Sequence, residues 1–176
     1  MNRFTALQTL FHVSASSVAT MILMQACGGG GGGGIGPGTS AFAASDAAPD
    51  PIVGVWDSTA SVRDCASGAV ITSFKGLGMI MSGGTASFTS SRPPSSQSPA
   101  FGTWKRESGN DYTLTLVLMR FNPDGSFAGS QKSKISRTLA ADGNSFTSTI
   151  SGQILDATGN VTSTTCATDA GSRTVW

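Results

Sequence analysis

From residue 51 onward, strand-like segments are separated by turn residues at short intervals, and this pattern constrains the fold more than any other feature. Segment 112–121 alternates most clearly, with large side chains on one face: Tyr112, Leu114, Leu116 and Leu118. Three later turns carry the Asp-Gly or Gly-Asn pairs that tight hairpins favour: Asp124-Gly125, Asp142-Gly143-Asn144 and Thr158-Gly159-Asn160. The pattern predicts strands joined by hairpins.

Eight strands follow from this pattern, and no helical period appears after residue 51. The predicted strands are 52–63, 70–81, 85–90, 101–107, 112–121, 127–139, 146–155 and 161–168. Prolines 93, 94 and 99 mark a loop between the third and fourth strands, because proline cannot continue a central strand. The sequence therefore predicts an all-β domain, an eight-stranded antiparallel up-and-down barrel without open edges.

The charge balance argues against a nucleic-acid partner. Charged residues make up 12% of the chain, which has eleven Lys and Arg against ten Asp and Glu. Loss of Arg3 with an N-terminal signal leaves a neutral chain. Nucleic-acid binding depends on the neutralisation of many phosphates, so we expect none here.

The N-terminus has the layout of an export signal. Arg3 gives one positive charge, a short apolar core follows over 18–24, and the small residue Ala26 precedes Cys27. This core is too short for a membrane-spanning helix, which needs about 20 apolar residues. A charged start, a short apolar core and a small residue are typical of a secretory signal peptide.

Residues 23–27, Leu-Met-Gln-Ala-Cys, resemble the lipobox of bacterial lipoproteins, and the whole chain is similar to lipoproteins of this build. The resemblance implies that Cys27 is lipidated and anchors the protein in the cell envelope, in the outer membrane facing the periplasm. Met24 and Gln25 depart from the usual residues of the motif. The alternative is ordinary secretion after cleavage nearby, with Cys27 as an unpaired thiol.

Seven glycines, 28–34, follow Cys27 directly and begin a stretch of small residues. Such a stretch buries too little surface to offset its ordering entropy, so we expect a flexible tether. The predicted organisation is a signal peptide over 1–26, a glycine-rich tether over 27–50 and a β-barrel over 51–176.

Two cysteines remain once Cys27 is assigned to lipid. Cys65 ends the first predicted strand and Cys166 lies in the last. An exported protein meets an oxidising compartment, which favours a Cys65–Cys166 disulfide over two buried thiols. These two strands are neighbours only if the sheet closes, so the pairing also supports a barrel.

Gly54-Val55-Trp56, in the first predicted strand, resembles the G-x-W signature of calycins, the superfamily that includes lipocalins. The resemblance implies a barrel whose tryptophan closes the floor and packs against an arginine near the barrel's end. Arg173, just after the last predicted strand, is the candidate partner. A cation–π contact of this kind stabilises by about 0.5–2 kcal/mol.

Catalytic and metal chemistry have little support in the sequence. The only histidine, His12, lies in the predicted signal peptide, so the mature chain has no histidine for a nucleophile system or a metal site. Aspartates such as Asp124, Asp142 and Asp156 sit at turns, where side-chain caps explain them. We predict a protein that is not an enzyme, with no cofactor and no metal.

The interior of the barrel is the remaining place for function. On the sixth strand, Gln131 and Arg137 share the face that carries the apolar residues. If that face points inward, both are candidate ligand contacts, and a buried arginine needs a partner or an anion. A bulge that turns Arg137 to solvent is the interpretation we favour, since bulges gather at barrel rims.

Two function classes remain, and interior volume separates them. The first is a non-enzymatic module that holds a small apolar ligand, by analogy with calycins; the second is a structural or interaction lipoprotein with a filled barrel. A cavity of about 300 Å³ or more supports the first. A more remote reading is a cofactor-free isomerase or cyclase that uses Tyr112 or an aspartate as its acid–base group.

Overall fold

The computed structural model describes residues 48–174. The predicted signal peptide, the lipidation site Cys27 and all but the last three residues of the predicted tether lie outside this range. Within it, no helix is long and apolar enough to cross a membrane.

The described chain is built from eight strands. They are β1 Gly54–Arg63, β2 Val70–Met81, β3 Thr85–Ser90, β4 Ala100–Ser108, β5 Asp111–Phe121, β6 Phe127–Leu139, β7 Ser145–Leu155 and β8 Val161–Arg173. Each strand pairs antiparallel with the next along the chain, and β8 pairs antiparallel with β1. The sheet is a closed up-and-down barrel, which confirms the predicted fold class. Closure gives every described strand a neighbour on both sides.

The seam between β1 and β8 is longer than the sequence pattern predicts. β8 continues to Arg173 instead of ending at residue 168, and its pairing with β1 runs from Trp56 opposite Arg173 to Arg63 opposite Cys166. Residues 168–172 are small or polar and show no clear alternation, because pairing with β1 rather than side-chain size holds them in the sheet. Arg173 is thus the last residue of β8 and does not follow it.

The chain before β1 differs from the predicted strand that begins at residue 52. Asp50 to Val53 form a turn, in which the Val53 amide donates to the Asp50 carbonyl at 2.9 Å. This turn places Ile52 in the interior with none of its surface exposed. Asp50, assigned to the tether by its sequence, is fixed to the barrel because its Oδ1 accepts a hydrogen bond of 2.7 Å from the Tyr112 hydroxyl.

The two ends of the barrel differ in character. The end where β1 begins and β8 finishes, here called the floor, is filled by large side chains that include Trp56 and Phe146. The opposite end, here called the mouth, carries the connection between β1 and β2, where Val70 and Ile71 are 54% and 65% exposed. The interior is therefore closed at one end by the chain's own side chains.

Turn aspartates hold the hairpins, as the sequence predicts. Asp124 Oδ1 accepts from the Ser126 amide at 2.9 Å and from its hydroxyl at 2.7 Å. These bonds favour the ionised carboxylate and lower the pKa of Asp124. Asp142 and Asp156 accept from the amides of Asn144 and Thr158, so these carboxylates are explained by their turns.

Candidate ligand cavity

The barrel encloses a cavity of about 320 Å³ between the floor and the mouth. Strand alternation turns one face of each strand inward, and these faces supply most of the lining. Most of the lining is apolar and includes Val62, Phe88, Leu114, Leu116, Ile135 and Ile150. The interior is therefore an apolar chamber and not a filled core.

The floor is closed by the turn before β1. Ile52 is fully buried there, and its carbonyl accepts a hydrogen bond of 2.9 Å from the indole Nε1 of Trp56. The Trp56 and Phe146 rings meet edge to face with centroids 5.4 Å apart. Such aromatic pairs add stability beyond the area they bury, so this contact stabilises the closed end of the cavity.

The Gly-x-Trp sequence and Arg173 meet at this floor. The Arg173 guanidinium lies over the Trp56 ring, 4.4 Å from its centroid. It donates to the carbonyl of Val53 at 2.8 Å and to that of Gly143 at 3.0 Å, and a third bond reaches the carbonyl of Pro51. This one side chain thus joins the end of β8 to the turn before β1.

Gly54 has a physical reason to be glycine. Its φ is +149°, which side chains rarely adopt, and a Cβ there would collide with Nη1 of Arg173. The glycine therefore leaves room for the guanidinium that covers Trp56.

Arg137 lies inside the barrel. The expectation that a bulge turns its side chain to solvent is therefore wrong. The irregularity in β6 falls near its start, where the pairing shifts between Arg120 and Phe121 of β5. The β6–β7 register continues unbroken past Arg137, so alternation keeps its side chain inward, only 5% exposed.

Arg137 is held by neighbours on the last two strands. Its Nε donates to Ser148 Oγ at 3.1 Å, and its Nη2 pairs with Asp169 Oδ2 at 3.2 Å. The guanidinium carbon lies 3.5 Å from the centroid of the Phe146 ring. Burial lowers the pKa of Arg137, an effect that the Asp169 carboxylate opposes. The cavity therefore contains an ion pair among apolar walls.

Asp169 and Ser148 are functional candidates that the sequence pattern does not predict. Asp169 lies one residue beyond the predicted end of the last strand, so the pattern assigns it to no face. β8 extends to Arg173, and Asp169 lies four residues before Arg173 on the same inward face of the strand. In the sheet register, Arg137 of β6 lies opposite Ser148 of β7, which lies opposite Asp169 of β8. The three residues therefore form one row across three neighbouring strands.

Gln131, the other predicted ligand contact, also lines the cavity. Its amide Nε2 donates to Ser133 Oγ at 3.3 Å, on the same inward face. Gln131 and Arg137 lie six residues apart on β6, near the mouth and near the floor respectively. The structure therefore puts both predicted contacts in the cavity but does not bring them together.

The mouth carries two further arginines. Arg92 and Arg120 both line the cavity, and no salt bridge between described residues involves either of them. The Arg92 guanidinium lies over the Phe74 ring, 5.2 Å from its centroid. A bridge between Gln97 and Arg120 fixes the proline-containing loop beside the end of β5.

The predicted disulfide is confirmed. Cys65 and Cys166 are bonded, with their Cα atoms 5.3 Å apart and their sequence positions 101 apart. The bond lies at the mouth end of the β1–β8 seam, while Arg173 joins the same seam at the floor.

Tyr112 does not line the cavity. Its ring is almost fully buried, and its hydroxyl donates to Asp50, whose carboxylate also lies 3.5 Å from Arg106. Burial, followed by the contact with Asp50, raises the pKa of Tyr112 to about 12. The hydroxyl therefore fastens the turn before β1.

Among residues 48–174, no group of three or more His, Cys, Asp or Glu is arranged to hold a metal ion.

Comparisons with known proteins give little beyond the geometry. No protein-family model matches this sequence, and the search of curated proteins gives no significant match. Among solved structures, the crystal structure of Rv2717c from M. tuberculosis is similar with a TM-score of 0.36 and 14% sequence identity, over 71% of this chain and 94% of that chain.

Proposed function

We propose that the barrel is a non-enzymatic binding module for a small ligand that is mainly apolar. The observation that carries the proposal is the cavity of about 320 Å³, lined largely by aliphatic and aromatic side chains. Ligand pockets are typically about 300–1,000 Å³ and mostly apolar, with a few polar groups that set orientation. A small ligand would remove its apolar surface from water in this chamber.

A second candidate is a structural or interaction lipoprotein, and the outer wall of the barrel favours it. Phe101 is 63% exposed, and its neighbour across the β4–β5 pair, Val117, is 40% exposed. Leu77 and Met119 are also more than half exposed on outward positions. A contiguous apolar patch built around the Phe101–Val117 pair would suit contact with another protein.

We further propose that the mature protein is anchored by lipid at Cys27 in the cell envelope, in the outer membrane facing the periplasm. The Cys65–Cys166 disulfide supports export, because disulfides persist in oxidising compartments and are rare in the cytosol. Intact mass of the product purified from its own host tests the anchor. Acyl mass that disappears in a Cys27→Ala variant is the expected result, and an unmodified Cys27 would refute the proposal.

Native mass spectrometry of the exported protein, released from detergent micelles, tests ligand binding. We expect a bound small molecule whose mass is lost on denaturation. Partial filling of the cavity by Ala167→Phe, on its wall, should abolish the adduct, while the outward substitution Thr168→Phe should retain it. A clean apo mass for the native protein would favour the structural alternative.

A further inference from the structure

The ion pair inside the cavity is an unusual component of an apolar wall. Arg137 and Asp169 are each 5% exposed, and both line the cavity. Replacement of a buried ion pair by apolar residues of similar volume often leaves a protein equally or more stable. Stability of the barrel therefore does not explain this pair, and recognition of a polar group would.

The carboxylate of Asp169 has one oxygen without a partner. Oδ2 accepts from Arg137 at 3.2 Å, but Oδ1 is buried with no hydrogen-bond partner among the described residues. A buried acceptor left unpaired is unfavourable. A small rotation of the carboxylate toward the cavity would let a ligand donor reach Oδ1 and give it the partner it lacks.

The guanidinium of Arg137 has donor capacity to match. Its Nε is used by Ser148 and its Nη2 by Asp169, while no hydrogen bond between residues 48–174 uses its Nη1. An arginine has five N–H donors in a fixed fork, so the pair offers a donor and an acceptor side by side.

The charge of the pair selects the class of group that fits. Arg137 and Asp169 neutralise each other, so a carboxylate on the ligand would face Asp169 and an ammonium would face Arg137. Either would bury a surplus charge, which is costly in an apolar site. A neutral hydroxyl adds no charge and can donate and accept at once.

We propose that the ligand is an alcohol or phenol with an apolar body, whose hydroxyl donates to Oδ1 of Asp169 and accepts from Nη1 of Arg137. This inference rests on the proposed binding function and adds the polar group of the ligand and its direction. The hydroxyl enters first and lies toward the floor, and the apolar body lies among the aliphatic side chains above it.

Three probes of similar size test the proposal on the full exported protein in detergent. They are 1-naphthol, which can donate, 1-methoxynaphthalene, which cannot, and 1-naphthoate, which is an anion. Isothermal titration calorimetry, with blank titrations into detergent alone, gives a dissociation constant for each. We expect 1-naphthol to bind at least about tenfold more tightly than either of the others, since one buried acceptor gains its partner.

A double substitution supplies the matched control. Arg137→Met with Asp169→Leu replaces the pair by apolar residues and should lose the preference for 1-naphthol over 1-methoxynaphthalene. Uptake of each probe by detergent is the same for both proteins, so it cancels when their preferences are compared. Near-UV circular dichroism reports whether this variant keeps the native packing. If it does not fold, the ranking of the three probes in the native protein decides.

The outcomes separate the two proposals. Equal binding of 1-naphthol and 1-methoxynaphthalene by native protein would overturn the hydroxyl site and leave the apolar binding function standing. Preference for 1-naphthoate would overturn it in favour of an anion held by arginine. No binding of any probe would count against the binding function itself, and against the hydroxyl site with it.

Discussion

Arg137 contacts an aromatic ring, a hydroxyl and a carboxylate, and its charge is almost completely removed from water. The stabilising and destabilising contributions at such a site are large and opposed. Desolvation disfavours the charged guanidinium, while Asp169 and the Phe146 ring favour it. The residue is therefore tolerated only as part of the cluster that surrounds it.

Substitution of Arg137 alone should be much more harmful than substitution of the pair. Arg137→Met leaves the Asp169 carboxylate buried without a cation, and we expect the free energy of unfolding to fall by about 3–5 kcal/mol. Arg137→Met with Asp169→Leu should recover most of that loss. Urea denaturation followed by tryptophan fluorescence measures both, and equal losses in the single and double variants would contradict the argument.

Tyr112 should give the barrel an alkaline limit. Its pKa is about 12 in the folded protein against 10.0 ordinarily, so the unfolded chain loses the phenolic proton first. The contribution to stability is complete below pH 10 and is lost as pH rises through about 12. Urea midpoints between pH 9 and about 12 should fall more steeply for the native protein than for Tyr112→Phe.

Asp50→Asn provides the control for this alkaline limit. It removes the negative charge that opposes ionisation of Tyr112 and leaves the ring buried. The decrease in urea midpoint at alkaline pH should therefore be smaller in Asp50→Asn but still present. If Tyr112→Phe shows the same decrease as the native protein, another group is responsible.

At the level of the strands, β1 and β8 are joined by a contact that requires a glycine, which has no side chain, at position 54. Gly54 leaves the space that Nη1 of Arg173 occupies, and Arg173 in turn covers Trp56 and binds the turn before β1. The G-x-W sequence is thus explained by packing at the floor. The same contact orders Ile52, which closes the cavity.

Gly54→Ala should disturb this contact. The positive φ and the collision with Arg173 together predict a loss of about 1–3 kcal/mol in the free energy of unfolding. In an Arg173→Ala background the collision is absent and only the backbone contribution remains, so the loss should be smaller. A double-mutant cycle measured by urea denaturation isolates the interaction, and additive losses would refute it.

The strands could be predicted from sequence because alternation and hairpin residues are local signals. The end of β8 could not, since residues such as Ala170 are held by pairing with a strand more than 100 positions away. Because the predicted strand ends at residue 168, Asp169 falls outside it, and the sequence offers no buried partner for Arg137. Solvent exposure of Arg137 was then the natural expectation, and the structure reverses it.

Over the whole molecule, the barrel closes between its first and last strands, and the disulfide fastens that closure at the mouth. Cys65→Ser with Cys166→Ser should lower the free energy of unfolding by up to about 4.7 kcal/mol, because the unfolded chain regains the freedom of a loop of roughly 100 residues. Far-UV circular dichroism checks that the barrel still forms, and urea denaturation measures the loss. An unchanged midpoint would contradict this entropic argument.

The same bond makes most of the barrel a covalent ring. All of β2 to β7 lies between Cys65 and Cys166, so a single proteolytic cut anywhere in these strands or their hairpins releases no fragment. The nicked protein would keep its mass, apart from one added water, until a reductant separated the pieces. In a compartment with proteases, such a barrel tolerates a first cleavage in an exposed hairpin without losing a strand.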